Sequence, residues 1–454
     1  MYENLKGKTI LIYTLGCKVN QYESDAMYEK LEKYGCIPVR MNDEASSDKD
    51  TETAAKGADI CIINTCSVTN TADKKSRQII SRMRKHNPEA VIVATGCYVQ
   101  ASSEDIVRKG IVDLIIGNNR KNECARIISE YLAHDELSDN FIDVNKCPDY
   151  DNLKLSMPEG HTRAYIKIQD GCNSFCTYCI IPFVRGRIKS RSLDDIVSEV
   201  ETLVANGIKE VVLTGINISS YDDVNVGATL KDVTCRVSRI PGLERVRLGS
   251  LEPRVITEEF LSAVEALPNF CPHFHLSLQS ACNNTLKRMN RHYTIEEFME
   301  VCDLIRSHFD KPALTSDVII GFPGETDEDF EDTYNNLKKI NFYEMHVFKY
   351  SRRKGTVADK MPDQVPEQIK NKRSDMLLNL SASNKAAFEA DFSDAKLNVL
   401  VEEKIVKDGT AYFRGHTERY ILVDIPETYI KENYPDIKDP INHMISYIYS
   451  PQNL

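Results

Sequence analysis

The sequence predicts an α/β protein with three successive domains, because its strand and helix signals change character twice along the 454 residues. In the first third, short apolar runs alternate with amphipathic helical stretches, which is typical of a doubly wound parallel sheet. Six further strand–helix units then predict a central partial (β/α)6 barrel. After residue 381 only short strand-like runs and turns follow, and these indicate a small all-β barrel.

Four apolar runs define the N-terminal sheet: residues 9–15, 60–64, 91–95 and 114–116. A helix is predicted over residues 22–34, and Gly35 fits its C-terminal stop. The carboxyl ends of parallel strands open on one edge of a sheet, where open α/β folds bind their ligands. Residues that follow these strands are therefore the first candidates for a functional site.

Three cysteines lie at this predicted edge. Cys17, Cys66 and Cys97 each follow the end of a predicted strand by one or two residues. We therefore expect them to be neighbours in space and to form a three-thiolate metal site. The alternative is that each is a small buried residue, which is how we interpret Cys36 and Cys61.

A second set of cysteines follows the first predicted barrel strand, residues 164–168. Cys172, Cys176 and Cys179 have the spacing C-x3-C-x2-C. Three thiolates leave one metal position open, whereas a closed zinc or electron-transfer site has four ligands. The alternative is a zinc site that a distant His or Cys completes.

The remaining barrel strands are predicted at residues 210–214, 246–250, 274–278, 314–321 and 345–350. Helix starts are expected at Ser192, at Thr294 with Glu297 as a capping box, and at Thr326. Barrels of this class place their chemistry at the carboxyl ends of the strands. The short β runs of the C-terminal domain are predicted at residues 397–403, 411–414, 420–425 and 441–449.

Composition narrows the class of protein. The net charge is −11, which argues against bulk attraction to nucleic acid but not against a local basic surface. No apolar run is long enough to span a membrane and the first residues are polar, so we expect a cytoplasmic protein without a membrane partner. The fourteen cysteines are then metal ligands or core residues. The acidic segment 42–56 is expected to be a surface loop.

With these segments placed, the chain resembles the methylthiotransferase family of radical S-adenosylmethionine (SAM) enzymes. Tyr178 completes the pattern C-x3-C-x-aromatic-C that SAM radical enzymes share. The other segments that carry the resemblance are residues 14–24, 63–69, 95–98 and 171–191. Together with the order of the domains, they extend the resemblance to nearly the whole chain.

The resemblance implies two [4Fe-4S] clusters and SAM as cofactors. The loop cysteines would hold the cluster whose open iron binds SAM, and the strand-end cysteines an auxiliary cluster that carries the sulfur to be inserted. An electron donor such as flavodoxin or ferredoxin is implied as a partner. The implied domains are residues 1–147 with the auxiliary cluster, a linker at 148–160, the radical SAM core at 161–385 and a TRAM-like, RNA-binding β-barrel at 386–454.

The resemblance also implies cofactor and RNA contacts. Tyr178, Gly215 and Asn217 match positions near SAM, although core or turn roles fit them equally. The basic residues that follow the cysteine loop are candidates for binding RNA phosphates, with a solvated surface as the alternative; they are Arg185, Arg187, Lys189 and Arg191. The C-terminal barrel is expected to bind RNA or, alternatively, to stabilise its neighbour.

The residues after Cys17 indicate a branch of the family. Lys18-Val19-Asn20 is similar to the branch that methylthiolates C2 of N6-threonylcarbamoyladenosine at position 37, beside the tRNA anticodon. Branches acting on isopentenyladenosine or on a ribosomal protein aspartate differ at these positions and remain alternatives. A non-enzymatic metal protein that binds RNA is the alternative of another class.

Overall fold

The computed structural model describes residues 2–39, 57–108, 110–134, 144–145, 149–158, 160 and 162–451. The acidic segment 42–56 and Cys147 lie outside these residues, so the expectation of a surface loop stays a prediction. Among the described helices, none combines the length and the apolar character that a membrane crossing requires.

The N-terminal sheet has five strands, β1 (Thr9–Thr14), β2 (Ile37–Pro38), β3 (Ile60–Thr65), β4 (Val91–Gly96) and β5 (Leu114–Ile116). They are parallel in the order β2-β1-β3-β4-β5, which confirms the doubly wound prediction and adds the short β2. The helices are α1 (Lys18–Lys33), α2 (Asn70–His86), α3 (Cys97–Arg108) and α4 (Cys124–His134). All six residues of β3 are buried because helices cover both faces of a parallel sheet.

The central region contains the six predicted barrel strands: β6 (Arg163–Asp170), β8 (Glu210–Gly215), β11 (Arg245–Leu248), β13 (His273–Gln279), β14 (Ala313–Ile320) and β15 (Glu344–Lys349). Short strands that were not predicted are β7 (Lys189–Ser190), β9 (Asp222–Asp223), β10 (Ala228–Thr229) and β12 (Ser250–Leu251). The strand predicted at residues 246–250 is interrupted at Gly249, because β11 pairs with β8 whereas β12 pairs with β13. The strand orders are β11-β8-β6-β7 and β12-β13-β14-β15.

The helices of this region are α5 (Ile181–Val184), α6 (Leu193–Ala205), α7 (Leu230–Ser238), α8 (Glu258–Glu265), α9 (Asn283–Arg288), α10 (Ile295–His308), α11 (Asp327–Ile340) and α12 (Glu367–Ala390). The predicted starts are confirmed. The Ser192 side chain accepts a hydrogen bond from the Asp195 amide, and Thr294 forms a capping box with Glu297. Thr326 caps α11 through a box with Asp329.

The C-terminal region forms an antiparallel sheet of β16 (Lys396–Lys407), β17 (Thr410–His416), β18 (Leu422–Pro426) and β19 (Met444–Ile448), in the order β18-β17-β16-β19. The all-β prediction is confirmed for these strands. One helix, α13 (Glu427–Asn433), was not predicted. The sheet buries Val399, Val423 and Ile445 in its core.

The chain divides into two compact units whose segments alternate along the sequence. The first unit contains Met1–Pro158, Lys167–Arg191 and Ser351–Asp359, and the second contains Glu159–Ile166, Ser192–Tyr350 and Lys360–Leu454. Strand β6 contributes its first half to the second unit and its second half to the first. All six cysteines expected to bind metal therefore belong to the first unit.

Candidate metal centres

Cys17, Cys66 and Cys97 lie at the carboxyl edge of the N-terminal sheet. Their strands β1, β3 and β4 are adjacent and parallel. Cys66 directly follows β3, and Cys97 is the first residue of α3 after β4. Cys17 precedes α1 and stands three residues after the end of β1, one more than the sequence predicted. The three thiols share one sheet edge, and their role as metal ligands stays a prediction.

Glycines let the loops of these cysteines approach closely. Gly16 and Gly96 have φ values of +105° and +95°, in the left-handed region that favours glycine. A Cβ at Gly16 would lie 2.7 Å from Cys66 Sγ, and one at Gly96 would lie 2.3 Å from the Thr65 carbonyl oxygen. Burial raises the pKa of the Cys66 thiol to about 11, with a contribution from Cys97 and Cys17.

The access of solvent differs among these thiols. Cys66 and Cys97 are 5% and 4% exposed, whereas Cys17 is exposed. A donor set of three thiols at one sheet edge, open on one side, fits an iron–sulfur cluster that keeps one iron free of protein ligands. Because the ligand form is the thiolate, binding of metal would displace the thiol protons.

Arg185 and Arg191 do not fit the prediction that they bind RNA phosphates, because both are buried. Arg185 is 2% exposed and Arg191 1% exposed. The Arg185 Nε donates toward Cys97 Sγ at 3.3 Å, and Arg191 donates to the Tyr22 hydroxyl at 3.3 Å. A run of basic residues in sequence gives no information about the directions of their side chains, and here buried partners hold two of them inside the first unit.

Arg185 belongs to a buried network of charges around Glu23. Glu23 accepts hydrogen bonds from Arg185 at 2.8 Å, from Lys167 at 2.7 Å and from Lys121. Asp170 accepts from Arg185 at 3.2 Å and forms an ion pair with Lys167 at 2.6 Å. Burial alone would raise the pKa of Glu23, but the three cations hold it well below its usual range. The carboxyl is therefore ionised, and three cations face two carboxylates.

Two asparagines connect the cysteine loops to this network. Asn20 donates to the Leu15 carbonyl at 2.6 Å and to the Thr65 carbonyl at 3.1 Å, in the loops that lead to Cys17 and Cys66. The Asn118 amide lies 3.9 Å from Cys97 Sγ and donates to the Val184 carbonyl at 2.8 Å. These contacts fix the backbone from which the thiols extend.

The sequence analysis missed this supporting shell, although α1 carried a signal for it. Asn20, Glu23 and Ser24 recur at helical spacing on the buried face of α1. Polar side chains on a buried helix face need partners, so this stripe indicates a polar network. The partners Lys121 and Lys167 had no comparable signal, because they come from distant segments.

The second set of cysteines lies in the loop after β6. Cys172, Cys176 and Cys179 are partly exposed. The Cys172 amide donates to the Gly186 carbonyl at 3.1 Å, and the Cys179 amide donates to the Cys176 carbonyl at 2.9 Å. A Cβ at Gly171, where φ is +70°, would lie 1.9 Å from the Arg187 carbonyl oxygen. The start of the loop thus packs against the backbone of Gly186 and Arg187, which follow the loop in sequence. Its three thiols are a second set of possible sulfur ligands.

An aromatic pair flanks this loop at the surface of the first unit. Phe175 and Phe183 are 37% and 53% exposed, and their rings meet edge to face with centroids 6.0 Å apart. The exposed Arg187 guanidinium lies over the Phe175 ring, 4.4 Å from its centroid. Phe175 has a φ of +47°, which is unusual for a bulky residue and is found where structure or function imposes strain.

The other predicted site residues are placed as follows. Tyr178 lies within the cysteine loop of the first unit, and Lys189 is the half-buried first residue of β7. Gly215 is the last residue of β8, and Asn217 precedes a 3-10 helix, Ile218–Ser220, in the second unit. These placements leave the predicted roles untested.

The second unit contains one group of possible metal ligands, within the described residues, that the sequence did not indicate. Nitrogen and oxygen atoms of His275, Asp317 and His346 lie within 4.8 Å of one another. They come from the neighbouring strands β13, β14 and β15, and the His275 Nδ1 shares a hydrogen bond with the Thr315 hydroxyl at 3.0 Å. Their separation along the chain explains why no spacing pattern revealed them.

Comparisons with known proteins agree with the fold. Residues 166–337 match the Radical SAM superfamily, and residues 9–117 match the Uncharacterized protein family UPF0004. The threonylcarbamoyladenosine tRNA methylthiotransferase MtaB of Bacillus subtilis (strain 168) is 37% identical over 420 residues, covering 91% of this chain and 90% of that protein.

Two further comparisons extend this similarity. The tRNA-2-methylthio-N(6)-dimethylallyladenosine synthase of Clostridium botulinum (strain Hall) is 35% identical over 450 residues, covering 96% of this chain and 93% of that protein. Among solved structures, the radical S-adenosylmethionine methyltransferase TsrM of Kitasatospora setae, with tryptophan substrate and the SAM analog aza-SAM bound, gives a TM-score of 0.58 at 13% identity. It covers 98% of this chain and 86% of that chain, and it supports the fold alone.

Proposed function

Because the chain belongs to the tRNA methylthiotransferase family of radical SAM enzymes, we propose that it methylthiolates C2 of N6-threonylcarbamoyladenosine at position 37 of tRNA. The observation that carries this proposal is the presence of two sets of three cysteines in one compact unit. The choice of nucleoside rests on two relatives, from Bacillus subtilis and Thermotoga maritima. Both are named threonylcarbamoyladenosine tRNA methylthiotransferase, and they are 37% and 35% identical to this chain. The Lys18-Val19-Asn20 sequence supports the same choice.

Each set of cysteines fits one [4Fe-4S] cluster. Those at the sheet edge, Cys17, Cys66 and Cys97, would hold the auxiliary cluster in the domain of residues 1–147. Those in the loop, Cys172, Cys176 and Cys179, would hold the second cluster in the core domain of residues 161–385. When bound, the clusters and SAM supply one-electron chemistry and the sulfur, and a small electron-transfer protein such as flavodoxin or ferredoxin would supply the electron.

The protein side chains have separate tasks toward these groups. The thiolates hold iron, and the tight packing at Gly16 and Gly96 fixes where the first three point. Three residues are candidates for contact with SAM. They are Tyr178 in the cysteine loop and, in the barrel, Gly215 and Asn217. Each is assigned by its match to the family pattern.

Contact with RNA is proposed for the exposed part of the basic run. Arg187 is exposed and lies over Phe175, which itself meets the exposed Phe183. Guanidinium groups bind phosphates and aromatic faces stack on unpaired bases, which is how single-stranded RNA loops are bound. Lys189 is a further candidate. The β-sheet of residues 386–454 is proposed as an additional RNA-binding domain, like the TRAM domain of the family.

The proposal is tested with two tRNAs that differ only at position 37. The chain, loaded with iron and sulfide under anaerobic conditions, is incubated with SAM, a reductant and tRNA carrying either threonylcarbamoyladenosine or isopentenyladenosine. Nucleosides are then separated and identified by mass spectrometry. We expect the methylthio product from the first tRNA and none from the second, and the Cys97→Ala variant should yield none from either.

The other outcomes assign other functions. Product from isopentenyladenosine alone would place the chain in the branch of the Clostridium botulinum relative. Product on a ribosomal protein aspartate, offered as a third substrate, would indicate the protein-modifying branch. Bound zinc without cleavage of SAM would indicate a non-enzymatic metal protein.

A further inference from the structure

Arg185 is the charged side chain of the buried network around Glu23 that reaches a predicted cluster ligand. Its Nε lies 3.3 Å from Cys97 Sγ, with the geometry of a hydrogen bond donated to sulfur. The opposite side of the guanidinium is fixed by Glu23 Oε1 at 2.8 Å and by Asn20 Oδ1 at 2.7 Å. At 2% exposure it is shielded from water, so its charge is screened less than that of an exposed arginine.

The charges of this network favour an anion beside Cys97. Arg185, Lys121 and Lys167 are three cations, and they face the two carboxylates of Glu23 and Asp170. A third buried carboxyl, Asp151, also interacts with Lys121 and Lys167. The charge that lies against Cys97 Sγ is that of Arg185. A four-iron cluster with three thiolate ligands is an anion, and it becomes more negative on reduction. The positive charge of Arg185, held against Cys97 Sγ, would therefore stabilise the reduced state of such a group.

We infer that Arg185 positions Cys97 and raises the reduction potential of the cluster held by Cys17, Cys66 and Cys97. Hydrogen bonds to the sulfur atoms and the local net charge both set the potential of an iron–sulfur cluster. Arg185 supplies both at once, because its Nε donates to sulfur and its guanidinium places a positive charge beside that sulfur. The inference rests on the proposed cluster at these cysteines, and it makes Arg185 a positioning residue, not an RNA contact.

The potential can be measured on a full-length chain that retains only this cluster. The substitutions Cys172→Ala, Cys176→Ala and Cys179→Ala remove the other ligand set. After anaerobic loading with iron and sulfide, a redox titration followed by electron paramagnetic resonance gives the midpoint potential and the spectrum of the remaining cluster. We expect Arg185→Gln to lower the midpoint potential and to change the g-values. Arg187→Gln, a matched loss of a nearby exposed arginine, should change neither.

Two further variants separate this effect from a loss of stability. Arg185→Gln removes one of the three cations that bind the buried Glu23 and is expected to lower the melting temperature. The double variant Glu23→Gln with Arg185→Gln removes both charges of this pair, so part of the melting temperature should recover, while the potential stays below that of the parent chain because the hydrogen bond to Cys97 Sγ is still absent. Arg185→Lys keeps the charge but cannot reproduce the planar fork, and it should give a potential between those of Arg and Gln.

The outcomes distinguish this inference from the proposed cluster on which it rests. A chain with the three alanines that binds no iron would overturn the cluster and the inference together. A chain that binds iron with an unchanged potential in Arg185→Gln would overturn the inference alone. Recovery of both melting temperature and potential in the double variant would show that the hydrogen bond from Arg185 to Cys97 Sγ does not set the potential, which also overturns the inference.

Discussion

Each of the two compact units contains a buried glutamate bound by cations that include an arginine, but the two arginines also contact different partners. In the first unit, Arg185 binds Glu23 and extends to Cys97 Sγ. In the second, Glu210 accepts from Arg247 Nε at 2.9 Å, and Arg247 continues to the main-chain carbonyls of Thr417 and Glu418. A glutamate–arginine pair thus contacts a thiol in the first unit. In the second unit, another such pair connects the barrel to the C-terminal sheet. A buried ion network indicates a functional site only when its outer end reaches a reactive group.

The largest effect on activity and on iron content should come from removing the predicted cluster ligands, all of which belong to the first unit. Replacing any one of the six cysteines by alanine should abolish tRNA modification and remove one cluster, about four of about eight irons per chain. The measurement is iron content by absorption spectroscopy, together with nucleoside analysis. Cys61→Ala is the matched control, because Cys61 is buried in β3 but is not an expected ligand. Full iron content in Cys66→Ala would contradict the prediction that the strand-end cysteines bind a cluster.

The next prediction compares two glycines of similar backbone conformation. Gly96 in the first unit and Gly207 in the second have φ values of +95° and +98°. A Cβ at Gly96 would overlap the backbone of Thr65, whereas a Cβ at Gly207 would meet nothing within 4 Å. Gly207→Ala should cost about 1 kcal/mol from backbone strain alone. Gly96→Ala should cost about 4 kcal/mol and lose the auxiliary cluster.

Urea unfolding and iron content measure these two effects. Equal losses of stability in the two variants would show that the close approach at Gly96 is not required. Loss of iron in Gly207→Ala would remove the distinction between the units.

The second unit should show an acid-dependent loss of stability. Burial alone would raise the pKa of Glu210, but Arg247, Arg163 and Arg245 lower it to about 2. Since an unfolded glutamate titrates near 4.3, this carboxylate contributes stability above about pH 4.3 that is lost as the pH falls toward 2. The contribution is about 3 kcal/mol. Urea unfolding between pH 3 and 7 should show a shallower acid dependence in Glu210→Gln than in the parent chain, and identical slopes would contradict this.

The smallest effect should come from the exposed arginine beside the cysteine loop. Arg187→Gln should weaken tRNA binding by about 1 kcal/mol. It should also make the slope of log affinity against log salt concentration shallower by about one. The Arg185→Gln variant should leave that salt dependence unchanged, because Arg185 is buried. Fluorescence anisotropy at several salt concentrations measures both. An equal reduction of the salt dependence in both variants would contradict the division between the two arginines.

Local pattern was sufficient for most of the fold, and it singled out two sets of cysteines whose role as metal ligands stays a prediction. The strands β1, β3, β4 and β5 are short apolar runs, and the cysteines at their ends share an edge because parallel strands end together. The loop cysteines were found from their spacing alone. The sequence could not predict the directions of the basic side chains. Arg185 is buried and Arg187 is exposed, although both belong to one basic run, because the first binds Glu23 and the second lies over Phe175.

The same limit applies to the interruption at Gly249 and to the partners of Glu23. The apolar run at residues 246–250 gives no sign that its two halves pair with different strands. Lys121 and Lys167 reach Glu23 from segments far apart in sequence. Periodicity records which face of an element is buried but does not record which distant charge will meet it.

Nucleoside analysis of tRNA from cells that lack this chain tests the proposed function most directly. Threonylcarbamoyladenosine at position 37 should be present without its methylthio group, and expression of the intact chain should restore the group. Expression of the Cys97→Ala or the Cys176→Ala variant should not. Fully methylthiolated threonylcarbamoyladenosine in the cells that lack the chain would contradict the proposed function.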